Sequence, residues 1–221
     1  MDTQEVIRRL SSKTIEEQLA VLRNLLSEAP SPEVYPLLLA NLTSQDDSVV
    51  FLSLDILVKK YPHAVHQDAV LLTPQLVALL TTNHGPIVDR AIWGLSITGP
   101  DSVRILIEYI LQSTDDNHLE MGIWALGKNA HIRQYPALVV DTVRAQLSNI
   151  NPQIRNAALN ALMGMCPLRP FHRLDAESYN FEPVYGELQV VAQDFLELET
   201  TREGKEWLGR YLELLDNRNK L

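Results

Sequence analysis

The segment IVDRAIWGLS, residues 87–96, returns as HLEMGIWALG at residues 118–127, with a tryptophan at the seventh position of each copy. Two further segments align with it, VVFLSLDILV at 49–58 and IRNAALNALM at 154–163. All four share a small residue at position five (Ser53, Ala91, Gly122, Ala158) and a leucine at position nine (Leu57, Leu95, Leu126, Leu162). Successive copies are 38, 31 and 36 residues apart. This spacing is too irregular for a strict 33- or 34-residue repeat, but it suits looser repeated helix pairs.

The aligned segments carry apolar residues at three- and four-residue spacing, which is the pattern of a helix packed on one side. Each is preceded by another segment of helical pattern, and the four are PEVYPLLLANL, LTPQLVALLTT, DSVRILIEYILQ and PALVVDTVRAQL. Breaks such as TSQDD (43–47), YPHAVHQD (61–68) and TGPD (98–101) are rich in residues that cap or stop helices. The sequence therefore predicts an all-α fold with about four helix pairs over residues 30–165.

The two ends differ from the repeats, as expected of segments that cover the exposed faces of a stack. Residues 1–29 predict N-terminal capping helices, with Thr14 and Glu17 spaced as a capping box. Residues 166–221 predict a loop followed by two capping helices, at about 184–199 and 201–216. The aromatic residues of that loop region favour packing by its own side chains (Phe171, Tyr179, Phe181, Tyr185). We expect the three parts to form one continuous domain.

NPQIRNAALNALMGM (151–165) and DDNHLEMGIWALGKNA (115–130) resemble the second helix of a HEAT repeat. That pattern has an acidic or Asn turn, an aliphatic-Arg pair, small residues and an Ala-Leu-Gly-like ending. The aligned segments depart from it at the arginine, which only Arg155 retains. The resemblance implies a right-handed α-solenoid of HEAT-like repeats in which the second helices line the concave side. It implies no single activity, because such folds host many functions.

At about 100° per residue, columns two, six and nine of the repeat form one stripe, which predicts the core. The stripe comprises Val50, Leu54 and Leu57; Val88, Ile92 and Leu95; and Leu119, Ile123 and Leu126. The opposite side takes columns three, seven and eleven, which are Phe51, Asp55 and Lys59; Asp89, Trp93 and Ile97; Glu120, Trp124 and Lys128; and Asn156, Asn160 and Gly164. Trp93 and Trp124 are thus predicted to face away from the core.

An indole beside a carboxylate suits a segment that carries Lys or Arg, since a cation can lie on the ring and pair with the acid. We therefore expect a non-enzymatic scaffold or adaptor that binds a basic or amphipathic protein partner. The predicted contact residues are Trp93, Trp124, Asp55, Asp89, Glu120, Asn156, Asn160 and Lys128. The alternative is that both indoles fill space between helices, next to Gly94, Gly122 and Ala125.

The chain has 221 residues with 28 acidic and 19 basic side chains, for a net charge of −9. That balance disfavours nucleic acid as a partner. The single cysteine, the absence of an apolar run of membrane-spanning length and the acidic start MDTQEVIRRL together favour a soluble, cytoplasmic protein. The tail has apolar residues at helical spacing, which are Trp207, Leu208, Tyr211, Leu212 and Leu215. They fit either the inner stripe of a capping helix or the seam of a dimer. The sequence is therefore compatible with a monomer or with a weak dimer formed through the C-terminal helix.

The sequence predicts no catalytic constellation, metal site or cofactor. His63 and His66 lie in a predicted loop and no acidic cluster completes a ligand shell. Cys166 has a possible base only in His172. Two enzyme-related alternatives stay open, because HEAT-like repeats also occur in bilin lyase-like factors and in DNA glycosylases that use concave Trp and Asp residues, for which Trp93, Trp124 and Asp89 would be the candidates.

Overall fold

The computed structural model describes residues 2–12, 14–28, 31–165 and 179–217. Across these ranges the regular structure is helical, with short 3-10 turns and no strand. The α-helices are α1 (Thr3–Leu10), α2 (Ile15–Leu25), α3 (Tyr35–Asn41), α4 (Asp47–Lys60), α5 (Pro62–Gln67), α6 (Ala69–Leu79), α7 (Gly85–Ile97), α8 (Asp101–Gln112), α9 (Asp116–Lys128), α10 (Pro136–Arg144), α11 (Pro152–Met165), α12 (Glu182–Leu198) and α13 (Arg202–Asp216). None of the described helices is long and apolar enough to cross a bilayer.

The four predicted helix pairs are present as α3/α4, α6/α7, α8/α9 and α10/α11. The break predicted at 61–68 is wrong, because Pro62 and its successors form the short helix α5. Proline is favoured at the first helical position, where its missing N–H has no partner to lose. The proline therefore starts a helix here rather than ending one.

The chain divides into two compact units, Met1–Leu106 and Ile107–Leu221, with the division inside α8. In the first unit, α4 packs against α2, α3 and α7, and α7 also contacts α5 and α6. In the second unit, α11 packs against α9, α10 and α12, and α12 packs against α13. The predicted capping and repeat boundaries, at residues 29/30 and 165/166, stay a prediction.

Six residues of the predicted core stripe are buried, namely Val50, Leu54, Leu57, Leu95, Ile123 and Leu126. On α7 the buried side is rotated by about one residue from the predicted stripe. In α7 the buried residues are Ile87, Ala91, Gly94 and Leu95, which are columns one, five, eight and nine. The column-two and column-six residues Val88, Ile92 and Leu119 are only half-buried, so their predicted place in the core is wrong. The small residues determine which side of α7 is buried, because they let neighbouring helices approach closely. A Cβ added to Gly94 would lie 2.9 Å from Leu76 Cδ1.

The second unit has its closest helix contact where α9 crosses α11. A Cβ added to Gly127 would lie 2.8 Å from the Cβ and 2.9 Å from the Cα of Ala161. Only a glycine fits opposite the Ala161 backbone at this separation. The Ala-Leu-Gly-like ending of the repeat thus sets the distance between these two helices.

The N-terminal segment folds as two helices, but the predicted capping box is absent. Thr14 is the N-cap of α2, yet its side chain makes no capping hydrogen bond. The side-chain amide of Gln18 instead donates to the carbonyl oxygens of Leu10, at 3.2 Å, and Ser12, at 2.7 Å. This amide ties the start of α2 to the end of α1.

The C-terminal helices begin and end within two residues of their predicted bounds. Phe181 and Tyr185 are buried, as predicted for the aromatic loop, whereas Phe171 lies outside the described residues. On α13 the buried stripe is Leu208, Tyr211 and Leu215. Trp207 was expected in that stripe but is 43% exposed, because a residue one position from Leu208 points about 100° away from it.

Candidate partner-binding surface

Trp93 lies on the side of α7 that faces away from the buried residues. Its exposed fraction is 38%, which is high for so large an apolar side chain. Asp89, one turn earlier, is also exposed. The position of Trp93 on the outer face of its helix is therefore as the repeat columns predict.

Arg90 packs on the indole of Trp93. It was not among the candidate site residues predicted from the sequence. Its guanidinium carbon lies 5.4 Å from the Trp93 ring and 5.8 Å from the Phe51 ring, within cation–π range of both. Its Nε donates to Asp55 Oδ1 at 2.5 Å. We call Phe51, Asp55, Arg90 and Trp93 the Trp93 cluster. The available signal was the i, i+3 spacing of Arg90 and Trp93, which puts the two side chains on neighbouring positions of one helix face.

Asp55 occupies the outer column but is only 4% exposed. Its helix α4 is covered by α2, α3 and α7, so few positions on α4 reach solvent. The two carboxylate oxygens are paired with the chain's own cations, Arg90 at 2.5 Å and Lys59 at 2.7 Å. Asp55, predicted as a contact residue for a basic partner, is thus buried and already paired within the chain, and its geometry makes it a positioning residue for Arg90.

Asp89, one turn before Trp93 on α7, presents its carboxylate to solvent next to the Trp93 cluster. It forms no ion pair or hydrogen bond with any residue that the structure describes. Because Asp55 is neutralised by two cations, the unpaired negative charge next to Trp93 belongs to Asp89. The carboxylates of Asp89 in column three and Asp55 in column seven thus differ in exposure and pairing although the two columns share a face.

Trp124 in the second unit also has a cation of the chain on its ring. Its indole is half-buried, and Lys128 Nζ lies 5.9 Å from the ring. Glu120, one turn before Trp124, is half-buried as well. In both helices a cation of the chain therefore lies on the indole at short helical spacing.

The predicted asparagines of α11 are bonded to each other. Asn160 Nδ2 donates to the backbone carbonyl of Asn156 at 2.8 Å and to Asn156 Oδ1 at 3.0 Å. Asn156 also lines a small cleft of about 150 Å³ together with Phe195 and Trp207. The structure thus places Trp207 beside a predicted contact residue, a juxtaposition that sequence spacing does not reveal because 51 residues separate the two.

The histidines considered as metal ligands are His63 and His66. His63 and His66 are exposed on α5, so the prediction that His63 lies in a loop is wrong. The described ranges contain no group of three or more His, Cys, Asp or Glu placed to hold a metal ion. Cys166 and His172 lie outside the described residues.

Comparison with known proteins identifies the fold through structure rather than sequence. No protein-family model and no curated protein sequence matches the chain. The archaeal HEAT-like repeats protein from Thermococcus onnurineus NA1 is similar over 96% of this chain and 86% of its own, with 17% identity and a TM-score of 0.63. Drosophila melanogaster Mini spindles TOG3 is similar over 88% of this chain and 94% of its own, with 16% identity and a TM-score of 0.59.

An engineered protein gives a third similarity, over 98% of both chains with 17% identity and a TM-score of 0.53. Identities this low establish the fold alone. They agree with the helix pairs described above and with the resemblance seen in residues 115–130 and 151–165. The chain is an all-α solenoid of HEAT-like repeats.

Proposed function

We propose that this chain is a non-enzymatic scaffold or adaptor that binds a basic or amphipathic segment of another protein. The observation that carries the proposal is Trp93, an indole that is 38% exposed and held in one orientation by Arg90. Aromatic side chains of this kind are over-represented among the residues that dominate binding energies. The acidic balance and the single cysteine support a partner of opposite charge in a reducing, cytoplasmic compartment.

The Trp93 cluster supports tight binding because the contact with Arg90 restricts the indole. Arg90 is fixed by Asp55 on one side and by the two rings on the other. A side chain that keeps its orientation loses less entropy on binding, which favours affinity. In this proposal Asp55 acts by positioning Arg90, and Trp93 supplies the apolar contact.

Asp89 supplies the charge selectivity in this proposal. A Lys or Arg of the partner would pair with its carboxylate, while an apolar side chain of the partner packs on the exposed part of Trp93. In the second unit the corresponding contacts would be Trp124, Glu120 and Lys128, with Asn156 and Asn160 as hydrogen-bonding groups. The partner segment would therefore combine cationic and apolar residues.

The experiment is a selection of random 12-residue peptides displayed on phage against the immobilised full-length chain. We expect enriched peptides to combine Lys or Arg with apolar residues. Asp89→Lys should weaken their binding by about tenfold, because like charges then face each other. Trp93→Ala with Trp124→Ala should weaken it by at least about tenfold. Peptide affinities are measured by fluorescence anisotropy.

Two controls separate specific loss from altered folding. Glu16→Lys reverses another exposed acid of the first unit and should leave affinity within about twofold, as expected of a remote rim charge. Val70→Ala with Leu71→Ala removes side chains that are 65% and 60% exposed on α6, outside the Trp93 cluster. Enriched peptides that bind the control variants and the Trp variants equally well would contradict the proposal, as would a selection that enriches no peptide.

A further inference from the structure

A second surface of the chain is an open groove in the second unit. It lies between α10 with the 3-10 turn that follows it and α12, and its volume is about 1250 Å³. We call it the α10–α12 groove. Ile150 and Val190 on its lining are 95% and 62% exposed. Exposed aliphatic side chains on a concave surface are typical of interaction sites rather than of plain solvated surface.

The cations that line this groove are engaged within the chain. Arg144 makes a two-pronged contact with Glu187, from Nε at 2.8 Å and from Nη2 at 2.5 Å. Arg155 Nη1 donates to the backbone carbonyls of Asn149, at 2.8 Å, and Ile150, at 3.0 Å. These bonds occupy Nε and Nη2 of Arg144 and Nη1 of Arg155, so both guanidiniums are partly engaged within the chain.

Of the three acids that line the groove, Glu187 is paired with Arg144, and the other two are Asp141 and Asp194. Asp141 and Asp194 form no hydrogen bond or ion pair with any residue in the described ranges. Asp141 is nevertheless near Arg144, because Glu187 first and Asp141 to a smaller extent raise the pKa of that guanidinium. The lining therefore has three carboxylates against two guanidiniums, and Asp141 and Asp194 are the carboxylates that have no hydrogen bond or ion pair within the described ranges. They lie on α10 and α12, the two helices that form its walls.

The size and openness of the groove indicate the class of occupant. Small-molecule pockets usually enclose about 300 to 1,000 Å³ and surround most of the ligand. This groove is larger and open, and its lining combines aliphatic residues with charged residues of which three are acidic and two are basic. A peptide segment can extend along such a surface and place one apolar side chain and one cation at the same time.

We infer that the α10–α12 groove binds a cationic amphipathic peptide segment of another protein. An apolar side chain of that segment packs on Val190 and Ile150, and flanking Lys or Arg residues pair with Asp141 and Asp194. This site uses none of the residues of the Trp93 cluster. It is therefore a second interaction surface, whose existence does not depend on the function proposed for Trp93.

The test uses a 14-residue amphipathic Leu/Lys peptide, with a Leu/Glu peptide of the same pattern as its counterpart. Each is titrated into the full-length chain carrying ¹³C-labelled Ile and Val methyl groups. The dissociation constant is read from the Ile150 methyl shift, so binding elsewhere does not contribute. We expect the Ile150 and Val190 methyls to shift and saturate together with the Leu/Lys peptide and to stay unchanged with the Leu/Glu peptide.

Variants in matched pairs localise the interaction. Val190→Ser should raise the dissociation constant at least about fivefold, and Asp141→Asn with Asp194→Asn about tenfold. The controls are Leu198→Ser and Glu197→Gln, which remove an exposed apolar residue and an exposed charge at the far end of α12, outside the groove. Each control should change the dissociation constant by less than about twofold.

Three outcomes would overturn the inference. They are unchanged Ile150 and Val190 methyls at 1 mM Leu/Lys peptide, equal effects of the groove and control variants, and equal binding of the Leu/Glu peptide. Trp93→Ala should leave the Ile150 titration unchanged. A failure at the groove is thus distinguishable from a failure of the proposed function at Trp93.

Discussion

Asp55 and Arg90 should be energetically coupled, because the position of Arg90 over Trp93 depends on a buried carboxylate. The Asp55 side chain is 5% exposed, whereas Arg90 is 30% and Lys59 43% exposed. Removing one partner of a fully buried pair costs about 3 to 5 kcal/mol, and exposed pairs contribute about 0 to 1 kcal/mol. With one buried acid and two partly exposed cations, we expect Asp55→Ala to lower the free energy of unfolding by about 2 kcal/mol.

A double-mutant cycle isolates the interaction from the packing that each side chain also provides. Asp55→Ala, Arg90→Ala and the double variant are unfolded in urea, and the coupling energy should be about 1 to 1.5 kcal/mol. The control cycle uses Arg202 and Glu206, an i, i+4 pair whose side chains are 93% and 52% exposed. Its coupling energy should not exceed about 0.5 kcal/mol.

Equal coupling energies in the two cycles would refute the reasoning. They would mean that burial of Asp55 adds nothing to its interaction with Arg90. Arg90 would then be an ordinary surface residue, and the ordered indole at Trp93 would need another explanation. A large coupling would instead support Asp55 as the residue that positions Arg90.

Gly127→Ala should destabilise the fold by about 1 to 3 kcal/mol in urea unfolding, because its methyl would lie 2.8 Å from Ala161 Cβ. Gly164→Ala, whose nearest neighbour would be the Gly127 oxygen at 3.9 Å, should be neutral or stabilising by up to about 1 kcal/mol, and equal losses would contradict the close helix crossing. Asp46→Ala should cost about 1 kcal/mol, since its carboxylate caps Ser48 and Val49 N–H groups at 3.0 Å. Thr14→Ala should cost less than about 0.5 kcal/mol because that hydroxyl caps nothing, and an equal or larger loss would refute this contrast. Arg144 holds the pKa of Glu187 below its ordinary value of 4.5, so this carboxylate stabilises the fold above pH 4.5 and loses that effect as pH falls through its lower folded-state pKa. Glu187→Gln should therefore flatten the fall in unfolding free energy below pH 4.5, and an unchanged slope would count against the ion pair.

The repeat pattern predicts the helix pairs because each pair carries its own signals in sequence. Apolar spacing marks the helices, and turn residues mark the connections between them. The prediction of which side of each helix is buried was less accurate, because it used hydrophobicity alone and chose columns two, six and nine. The small residues at columns five and eight, such as Ala91 and Gly94, mark the helix contacts more faithfully than the larger aliphatics Val88 and Ile92.

The candidate site could be predicted only where it depends on one helix. Trp93 and Asp89 share the outer face of α7, so their exposure follows from local periodicity. The burial of Asp55 depends on three neighbouring helices, and its ion pair with Arg90 joins residues 35 positions apart. Likewise Trp207 meets Asn156 only through the packing of α11, α12 and α13. Such contacts arise from tertiary structure and leave no spacing signal in a single sequence.

The most direct test of the proposed function is the fluorescence of Trp93 during peptide binding. In a chain carrying Trp124→Phe and Trp207→Phe, Trp93 is the remaining tryptophan. A selected peptide without tryptophan should shift its emission to shorter wavelength and reduce quenching by acrylamide, because the exposed part of the indole becomes covered. Unchanged emission and unchanged quenching at saturating peptide would show that binding does not involve Trp93 and would contradict the account.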